Sequence, residues 1–209
     1  MKIAVICANG KAGKLIVKEA LDRNIDVTAV VRSENKSAAT KVLKKDLFNL
    51  TTEDLKGFDA VIDAFGAWTE DTLPQHSTSL AHLCDILSGT DTRLLVVGGA
   101  GSLYVNPEHT ICVADGPDFP DMFKPLAAAM AKALGELRAR SDVKWTYISP
   151  AGDFQADGER TGEYILGGEE LKLNSKGESV ISYADYAVAM IDEAVSGNHI
   201  QERISVVGE

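Results

Sequence analysis

The chain alternates short apolar runs with longer stretches of mixed polarity. Six apolar runs predict β-strands, because a strand buried on both faces of a parallel sheet is apolar throughout. They are residues 3–7, 25–31, 41–45, 58–63, 93–97 and 143–149. Three stretches favour helices by their spacing or their alanine content. They are residues 14–23, 75–88 and 121–140. The alternation predicts an α/β fold, a doubly wound parallel sheet with helices on both faces.

The pattern changes near residue 150. Glycines divide residues 152–177 into short segments, followed by a predicted helix at 183–195 and a strand at 203–207. No repeat or linker separates this part from the rest, so we expect a single domain over 1–209. Its core would span about 1–150, and a small loop-rich C-terminal cap about 151–209. Ligands of open α/β sheets bind beyond the carboxyl ends of the strands, so the cap would line the substrate pocket.

Composition narrows the class of protein. With 209 residues, 45% of them hydrophobic, the chain can form one sizeable core. A net charge of −10 argues against nucleic acid and anionic membranes as partners, since both would be repelled. Cys7, Cys84 and Cys112 are widely spaced and indicate reduced thiols. Neither a signal peptide nor a membrane-length apolar run is found, so we expect a cytoplasmic protein. We also expect a monomer or homodimer that acts on a small-molecule substrate.

The turn after the first strand is the main candidate binding site. Its sequence is Ala8-Asn9-Gly10-Lys11-Ala12-Gly13. A helix that begins after such a turn presents unpaired N–H groups and its positive dipole end, which suit a phosphate. Gly10 would let the backbone approach the phosphates, and Gly13 would let the helix pack against the strand. We interpret the turn as a pyrophosphate site of a Rossmann-like domain. An ordinary βα turn is the alternative, because Cys7 occupies the first of three glycine positions.

The end of the second strand bears on which dinucleotide would bind. About 20 residues after the glycine turn, a carboxylate normally binds the ribose hydroxyls of NAD. Arg32 occupies this place, with Ser33 beside it and Lys36 nearby. A guanidinium suits a 2′-phosphate by charge and donor geometry, so NADP(H) is favoured over NAD(H). The alternative is a solvated arginine that ends a strand.

Further motifs follow in order along the chain. They are Lys45-Asp46-Leu47, Asp63-Ala64-Phe65-Gly66-Ala67, Val96-Val97-Gly98-Gly99-Ala100-Gly101-Ser102-Leu103 and Ile181-Ser182-Tyr183-Ala184-Asp185-Tyr186-Ala187. With the glycine turn they resemble the atypical or extended short-chain dehydrogenase/reductase superfamily. The resemblance is strongest to its NmrA-like proteins, its small bacterial NADH-flavin reductases and biliverdin reductase B. It covers nearly the whole chain, and Cys7 is its main departure in the cofactor turn.

The resemblance implies a cofactor-binding set. Its members are Ala8, Asn9, Gly10, Lys11, Ala12, Gly13, Arg32, Ser33, Asp46, Leu47, Phe65, Gly66, Gly98, Gly99, Pro150 and Ala151. The glycine turn would bind the pyrophosphate, Arg32 the adenosine ribose or its phosphate, and Asp46 with Leu47 the adenine edge. Phe65 and Gly66 would lie along the ribose and nicotinamide. Residues 98–102 would lie under the nicotinamide, and 150–152 near its carboxamide. Asp46 could instead end a strand, and Phe65 could belong to the core.

The usual catalytic pair of this superfamily is missing. Most members carry Tyr-x-x-x-Lys on a helix, where the ammonium lowers the pKa of the phenol. No tyrosine here is followed by lysine four residues later, which disfavours alcohol oxidation and sugar epimerisation. Hydride transfer to a flavin demands less of the protein, since the two ring systems carry the chemistry.

Candidate catalytic residues follow the fifth strand. Ser102 and Tyr104 are candidates to hydrogen-bond the acceptor, although the hydroxyls of a glycine-rich loop can equally be incidental. His109 is the one histidine that we would test early, whereas core or surface roles are favoured for His76, His82 and His199.

Three further features of the chain have a structural or a functional interpretation. Residues 104–122 could fold over the substrate as a lid, and Trp68 could line the pocket or pack beneath a helix. Asp115, Asp118 and Asp121 lie among glycine and prolines that are typical of a solvated loop, so we predict no metal.

These features favour an NAD(P)H-dependent reductase of free flavin (FMN, FAD or riboflavin) or of a related planar acceptor such as a quinone. One alternative is a non-catalytic NADP(H)-sensing, NmrA-like regulatory protein. Another is an epimerase or isomerase of the sugar-nucleotide type.

Overall fold

A computed structural model describes all residues from 1 to 209. Its strands are β1 (Lys2–Ile6), β2 (Asp26–Val31), β3 (Lys41–Lys44), β4 (Ala60–Asp63), β5 (Arg93–Val97), β6 (Lys144–Ser149), β7 (Asp153–Gln155), β8 (Tyr164–Gly167), β9 (Val180–Ser182) and β10 (Glu202–Gly208). Its helices are α1 (Lys11–Asp22), α2 (Thr52–Leu55), α3 (Gln75–Leu87), α4 (Lys124–Arg138) and α5 (Tyr183–Ser196). Single 3-10 turns cover Leu47–Asn49, Val113–Asp115 and Asp121–Phe123.

Eight strands form the central sheet, in the order β3-β2-β1-β4-β5-β6-β10-β8. All are parallel except β8, which pairs antiparallel with β10 at one edge. Strands β7 and β9 form a small separate pair. The predicted α/β fold, a Rossmann-like and mostly parallel sheet flanked by helices, is therefore confirmed.

Each face of the sheet is covered by its own helices. Helices α1 and α5 pack on one face through residues such as Ile16 and Ile191. Helices α3 and α4 pack on the other face through residues such as Leu83 and Leu134. The chain proceeds outward from β1 through β2 and β3, then returns to place β4 on the other side of β1. The loops after β1 and β4 therefore flank the point where the strand order reverses, which is where ligands of such sheets bind.

The structure corrects several predicted boundaries. Helix α1 begins at Lys11 rather than Lys14, because Gly10 already has the extended conformation of a cap. The first strand ends at Ile6, since Cys7 has left-handed backbone angles. Helix α4 begins at Lys124, where a proline at its start suits the first turn. The other predicted elements differ from the observed ones by a few residues at their ends.

Four elements were not predicted. Helix α2 is a single turn, and β7, β8 and β9 lie in the region expected to contain mostly loops. Strand β8 contains a short apolar run, Tyr164-Ile165-Leu166, but none of its residues is fully buried. No helix combines the length and the apolar character that crossing a membrane requires.

Candidate functional site

The amino end of α1 is open toward the carboxyl edge of the sheet. Gly10 is its cap residue, and no side chain accepts hydrogen bonds from the first turn. The amides of Lys11, Ala12 and Gly13 therefore have no intrahelical acceptor. A Cβ atom at Gly13 would lie 2.7 Å from the Cys7 carbonyl oxygen and 2.9 Å from the Ala8 Cα, so no side chain fits there. The first turn of α1 therefore packs directly on the backbone of residues 7 and 8, and its three amides have no protein acceptor.

Cys7 adopts the backbone conformation that usually selects glycine. Its φ is 57°, in the left-handed region, and its carbonyl accepts a hydrogen bond from the Gly10 amide at 2.9 Å. A non-glycine residue pays roughly 1–2 kcal/mol for this conformation. Burial raises the pKa of the Cys7 thiol to about 12, so the side chain is neutral at pH 7. The turn thus has the tight geometry of a glycine turn without placing a thiolate beside it.

The Asn9 side chain joins the glycine turn to the loop after β2. Its amide nitrogen donates to the Glu34 carbonyl at 2.8 Å, and its oxygen accepts from the Lys36 amide at 2.6 Å. The Ser33 hydroxyl lies 3.4 Å from the same amide nitrogen. These contacts fix the loop that carries Arg32 beside the amino end of α1.

Positive charge is concentrated around this junction. Lys11, Arg32 and Lys36 are exposed, and none of the salt bridges in the chain includes them. In a chain of net charge −10, these cations lie next to the amino terminus of α1, an arrangement that favours an anion over a cation at this place.

Asp46 and Leu47 follow β3 on the far side of this loop. The Asp46 carboxylate accepts from the Phe48 amide at 3.0 Å and caps a 3-10 turn, and Leu47 is buried. The capping contact agrees with the alternative that Asp46 ends a strand, and it leaves the second carboxylate oxygen free.

Phe65 and Gly66 lie in the loop after β4, and side chains of β4 and α3 hold this loop in place by hydrogen bonds. The buried Asp63 carboxylate accepts from the Phe65 amide at 3.0 Å. The His76 Nε2 atom lies 3.1 Å from the Ala67 carbonyl oxygen, and its ring meets the Phe65 ring edge-on. Burial raises the pKa of Asp63 to about 6 and lowers the pKa of His76. Since His76 is buried and contacts Ala67 and Phe65, it has a core role, one of the two that were expected for it.

Gly98 and Gly99 lie above the Tyr147 side chain. A Cβ atom at Gly98 would come within 2.3 Å of the Tyr147 ring, and the Gly99 amide donates to the Tyr147 hydroxyl at 3.2 Å. Burial raises the pKa of that phenol to about 12. Pro150 and Ala151 follow β6 at the same edge and are buried.

The three candidate catalytic residues belong to one cluster. The Ser102 hydroxyl accepts from Arg203 at 3.2 Å, and the Arg203 guanidinium lies 5.7 Å from the Tyr104 ring centre. The His109 ring stacks on Tyr104 at 4.5 Å and contacts Glu170 at 3.2 Å. These contacts leave the Ser102 and Tyr104 protons free to donate.

The other residues singled out from the sequence are dispersed. Trp68 is 70% exposed, so it does not pack beneath a helix. His82 contacts the Leu50 carbonyl, and His199 contacts Glu193.

The acidic loop makes local contacts. Asp115 accepts from the Cys112 amide, Asp121 pairs with Lys124, and no group of three or more metal-ligating side chains is brought together in the chain. The three cysteines are free thiols.

The structure adds Tyr147, Arg203 and Glu169 to the site, and none of them was predicted. The Arg203 side chain is fully buried and donates to Glu169 and Ser102. Tyr147 lies in the apolar run of β6, where nothing in the sequence distinguishes it from a core residue. A charged residue within the apolar run of β10 was the one available signal for Arg203.

The fold and the open glycine turn at the strand-order reversal define a dinucleotide-binding protein of the Rossmann type. Residues 7–194 match the model of a family described as NAD(P)H-binding. The chain belongs to this NAD(P)H-binding family.

Three relatives are similar to the chain over nearly its whole length. It is 44% identical to the uncharacterized protein YwnB of Bacillus subtilis, over 100% of this chain and 99% of that protein. A solved Streptococcus pneumoniae structure, described as "a putative NADH-flavin reductase", is 58% identical with a TM-score of 0.97, and the match covers 100% of both chains. A Bacteroides thetaiotaomicron structure, described as a "putative epimerase", is 36% identical with a TM-score of 0.86. That match covers 99% of this chain and 96% of the other.

Proposed function

We propose that this protein is an NAD(P)H-dependent reductase of free flavin or a related planar acceptor such as a quinone. The observation that carries the proposal is the full-length likeness to the Streptococcus pneumoniae protein, at 58% identity. The missing Tyr-x-x-x-Lys pair supports it, because a flavin accepts hydride without a protein phenol to move a substrate hydroxyl proton.

The chain offers a binding role for each part of the cofactor. The free amides of Lys11, Ala12 and Gly13 would bind the pyrophosphate, and the absence of room for a side chain at Gly13 fits such a turn. Phe65, Gly66, Gly98 and Gly99 would flank the nicotinamide end.

The bound nicotinamide would supply the hydride. The protein's part is to orient the two rings and exclude water, and Ser102 and Tyr104 would donate hydrogen bonds to the acceptor.

We further propose that NADPH is preferred over NADH. The guanidinium of Arg32 and the ammonium of Lys36 are free of acidic partners and lie on the loop that Asn9 fixes. No carboxylate occupies the strand end where NAD-specific proteins bind the ribose hydroxyls. A 2′-phosphate would therefore gain charge-assisted hydrogen bonds that the hydroxyl of NADH cannot make.

Steady-state oxidation of NADPH and NADH with FMN, FAD, riboflavin and a soluble quinone tests the proposal. We expect turnover with at least one of these acceptors and a higher kcat/KM for NADPH. Cofactor binding without oxidation across the panel would overturn the reductase and favour the NADP(H) sensor. The likeness to the Bacteroides protein makes an epimerase the second enzymatic candidate, and interconversion of sugar nucleotides by the NAD(P)-loaded protein would favour it.

A further inference from the structure

A small cavity lies between the central sheet and helices α3 and α4, directly beneath the loops after β4 and β5. Its volume is about 20 Å³. Its polar lining residues are Asp63, His76, Ser79 and Tyr147, and apolar residues such as Val96 and Met130 complete its wall. Asp63, Val96 and Tyr147 are paired neighbours across β4, β5 and β6, so they share one row of the sheet.

Three groups in this cavity have unused hydrogen-bonding capacity. The Ser79 hydroxyl is buried and has no hydrogen-bond partner. The Tyr147 hydroxyl accepts from the Gly99 amide but donates to no protein atom. The Asp63 carboxylate accepts one hydrogen bond, from the Phe65 amide. Of the three, only the Ser79 hydroxyl has no partner at all. A buried hydroxyl left unpaired costs roughly 1–3 kcal/mol, so it needs an explanation.

The cavity has the size and chemistry of a site for one water molecule. A water needs about 10–15 Å³ of such volume and about 2–4 polar partners, and both conditions are met here. We propose that one internal water accepts hydrogen bonds from Ser79 and Tyr147 and donates one to Asp63, and thereby positions the loops 64–67 and 98–101.

The positioning follows from what each partner also contacts. Asp63 anchors the Phe65 amide, and Tyr147 anchors the Gly99 amide. The water would couple these two anchors, which otherwise lie on different strands. The effect of this coupling on cofactor binding rests on the proposed function, in which both loops flank the nicotinamide.

Asp63 is the acidic group of this arrangement. The titratable groups around it are Cys7 after β1, His76 and Cys84 on α3 and Tyr147 on β6, while α4 contributes Met130 and Ala133. Burial keeps the Cys7 and Cys84 thiols and the Tyr147 phenol protonated, and it lowers the pKa of His76. The carboxylate of Asp63 is therefore the charge that changes as pH crosses about 6.

A crystal structure of the wild-type protein that resolves ordered solvent tests the water directly. We expect one density peak within about 3 Å of the Asp63 carboxylate, the Ser79 Oγ atom and the Tyr147 hydroxyl. An empty cavity would overturn the proposal. This result does not depend on the protein's activity.

Titration calorimetry with NADP⁺ tests the positioning. Ser79→Ala removes one partner of the water and should weaken binding by about 3- to 10-fold, which is the loss of about one hydrogen bond. Cys84→Ala is the matched control, because it also deletes one buried heavy atom from α3 but Cys84 does not line the cavity. The Kd of this variant should equal that of the wild type. Equal affinity of Ser79→Ala and the wild type would overturn the positioning role.

The pH profile separates positioning from a purely structural effect. The ratio of the Kd of Asp63→Asn to that of the wild type should be near one at pH 5, where both side chains are neutral. It should rise several-fold at pH 8, where the wild-type carboxylate makes charge-assisted bonds. The 2′-phosphate of NADP⁺ titrates near pH 6 in both measurements and cancels in the ratio. A ratio that does not change with pH would overturn the role of Asp63. If the wild type does not bind NADP⁺ at all, the proposed function is overturned instead. The crystal structure then still decides whether the water is present.

Discussion

Single residues decide the shape of the proposed phosphate turn. Gly10 and Gly13 could be identified from the sequence, because their order after an apolar run is typical of a dinucleotide turn. The left-handed conformation of Cys7 was not predicted, since a cysteine gives no sign of it. Tyr147 and Arg203 could not be identified either, because their roles depend on contacts with residues distant in the chain.

Gly13→Ala should disrupt the turn. The new methyl group would overlap the Cys7 carbonyl and the Ala8 backbone, and overpacking of this kind costs about 1–3 kcal/mol. We expect a lower melting temperature and at least a tenfold higher Kd for NADP⁺, measured by thermal unfolding and calorimetry.

Gly135→Ala is the control for that substitution. This glycine lies within α4 with nothing near its Cβ position, so alanine should stabilise the protein by about 0.5–1 kcal/mol. Equal effects of the two substitutions would contradict the close packing inferred at Gly13.

Arg32→Ala should change the choice of cofactor. Loss of the guanidinium should raise the Kd for NADPH about tenfold or more and leave the Kd for NADH nearly unchanged, because only the former carries the 2′-phosphate. Lys176→Ala removes the same charge from an exposed turn between β8 and β9 and serves as the control for long-range electrostatics. A proportional loss of affinity for both cofactors would argue against this role of Arg32.

At the scale of elements, the central strands and the long helices were predictable because burial on both faces of a sheet leaves continuous apolar runs. The capping box from Thr51 to Asp54 was an overlooked signal for α2. Strand β8 offered only a three-residue apolar run between glycines, which is too short to distinguish a strand from a loop, and its residues are only partly buried at the sheet edge. The placement of the segment after β8 beside Tyr104 depends on main-chain hydrogen bonds that a sequence pattern does not encode.

The contact between these segments gives a prediction about Glu169. Arg203 is fully buried and donates to the Glu169 carboxylate and carbonyl, and the Tyr104 amide donates to the same carbonyl at 3.0 Å. Glu169→Ala would leave the buried guanidinium without its counter-charge and should cost about 3 kcal/mol in the free energy of unfolding. Chemical denaturation measures this cost. Asp91→Ala, which breaks an exposed ion pair with Lys144, should change stability little, and a similarly small effect at Glu169 would contradict the role assigned to it.

For the whole molecule, stability should depend on pH through Asp63. Burial raises its pKa from 3.8 to about 6, so the folded state binds this proton more tightly than the unfolded chain does. The resulting stabilisation is complete below about pH 4 and is lost as pH rises through about 6. The difference corresponds to about 3 kcal/mol at most.

Asp63→Asn should therefore unfold at a higher temperature than the wild type at pH 8, and the gap should close at pH 4. Calorimetric melting at both pH values checks this. Asp118→Asn changes an exposed carboxylate of the acidic loop and should show no such gap. A wild-type protein that melts above Asp63→Asn at pH 8 would contradict the cost assigned to burying this charge.

The central claim is that the free amides at the amino end of α1 bind the pyrophosphate of a nicotinamide dinucleotide. A crystal structure of the protein grown with saturating NADP⁺ tests it most directly. We predict pyrophosphate oxygens within hydrogen-bonding distance of the Lys11, Ala12 and Gly13 amides, with the 2′-phosphate beside Arg32. Nucleotide density elsewhere on the molecule, or none at saturating concentration, would contradict the account.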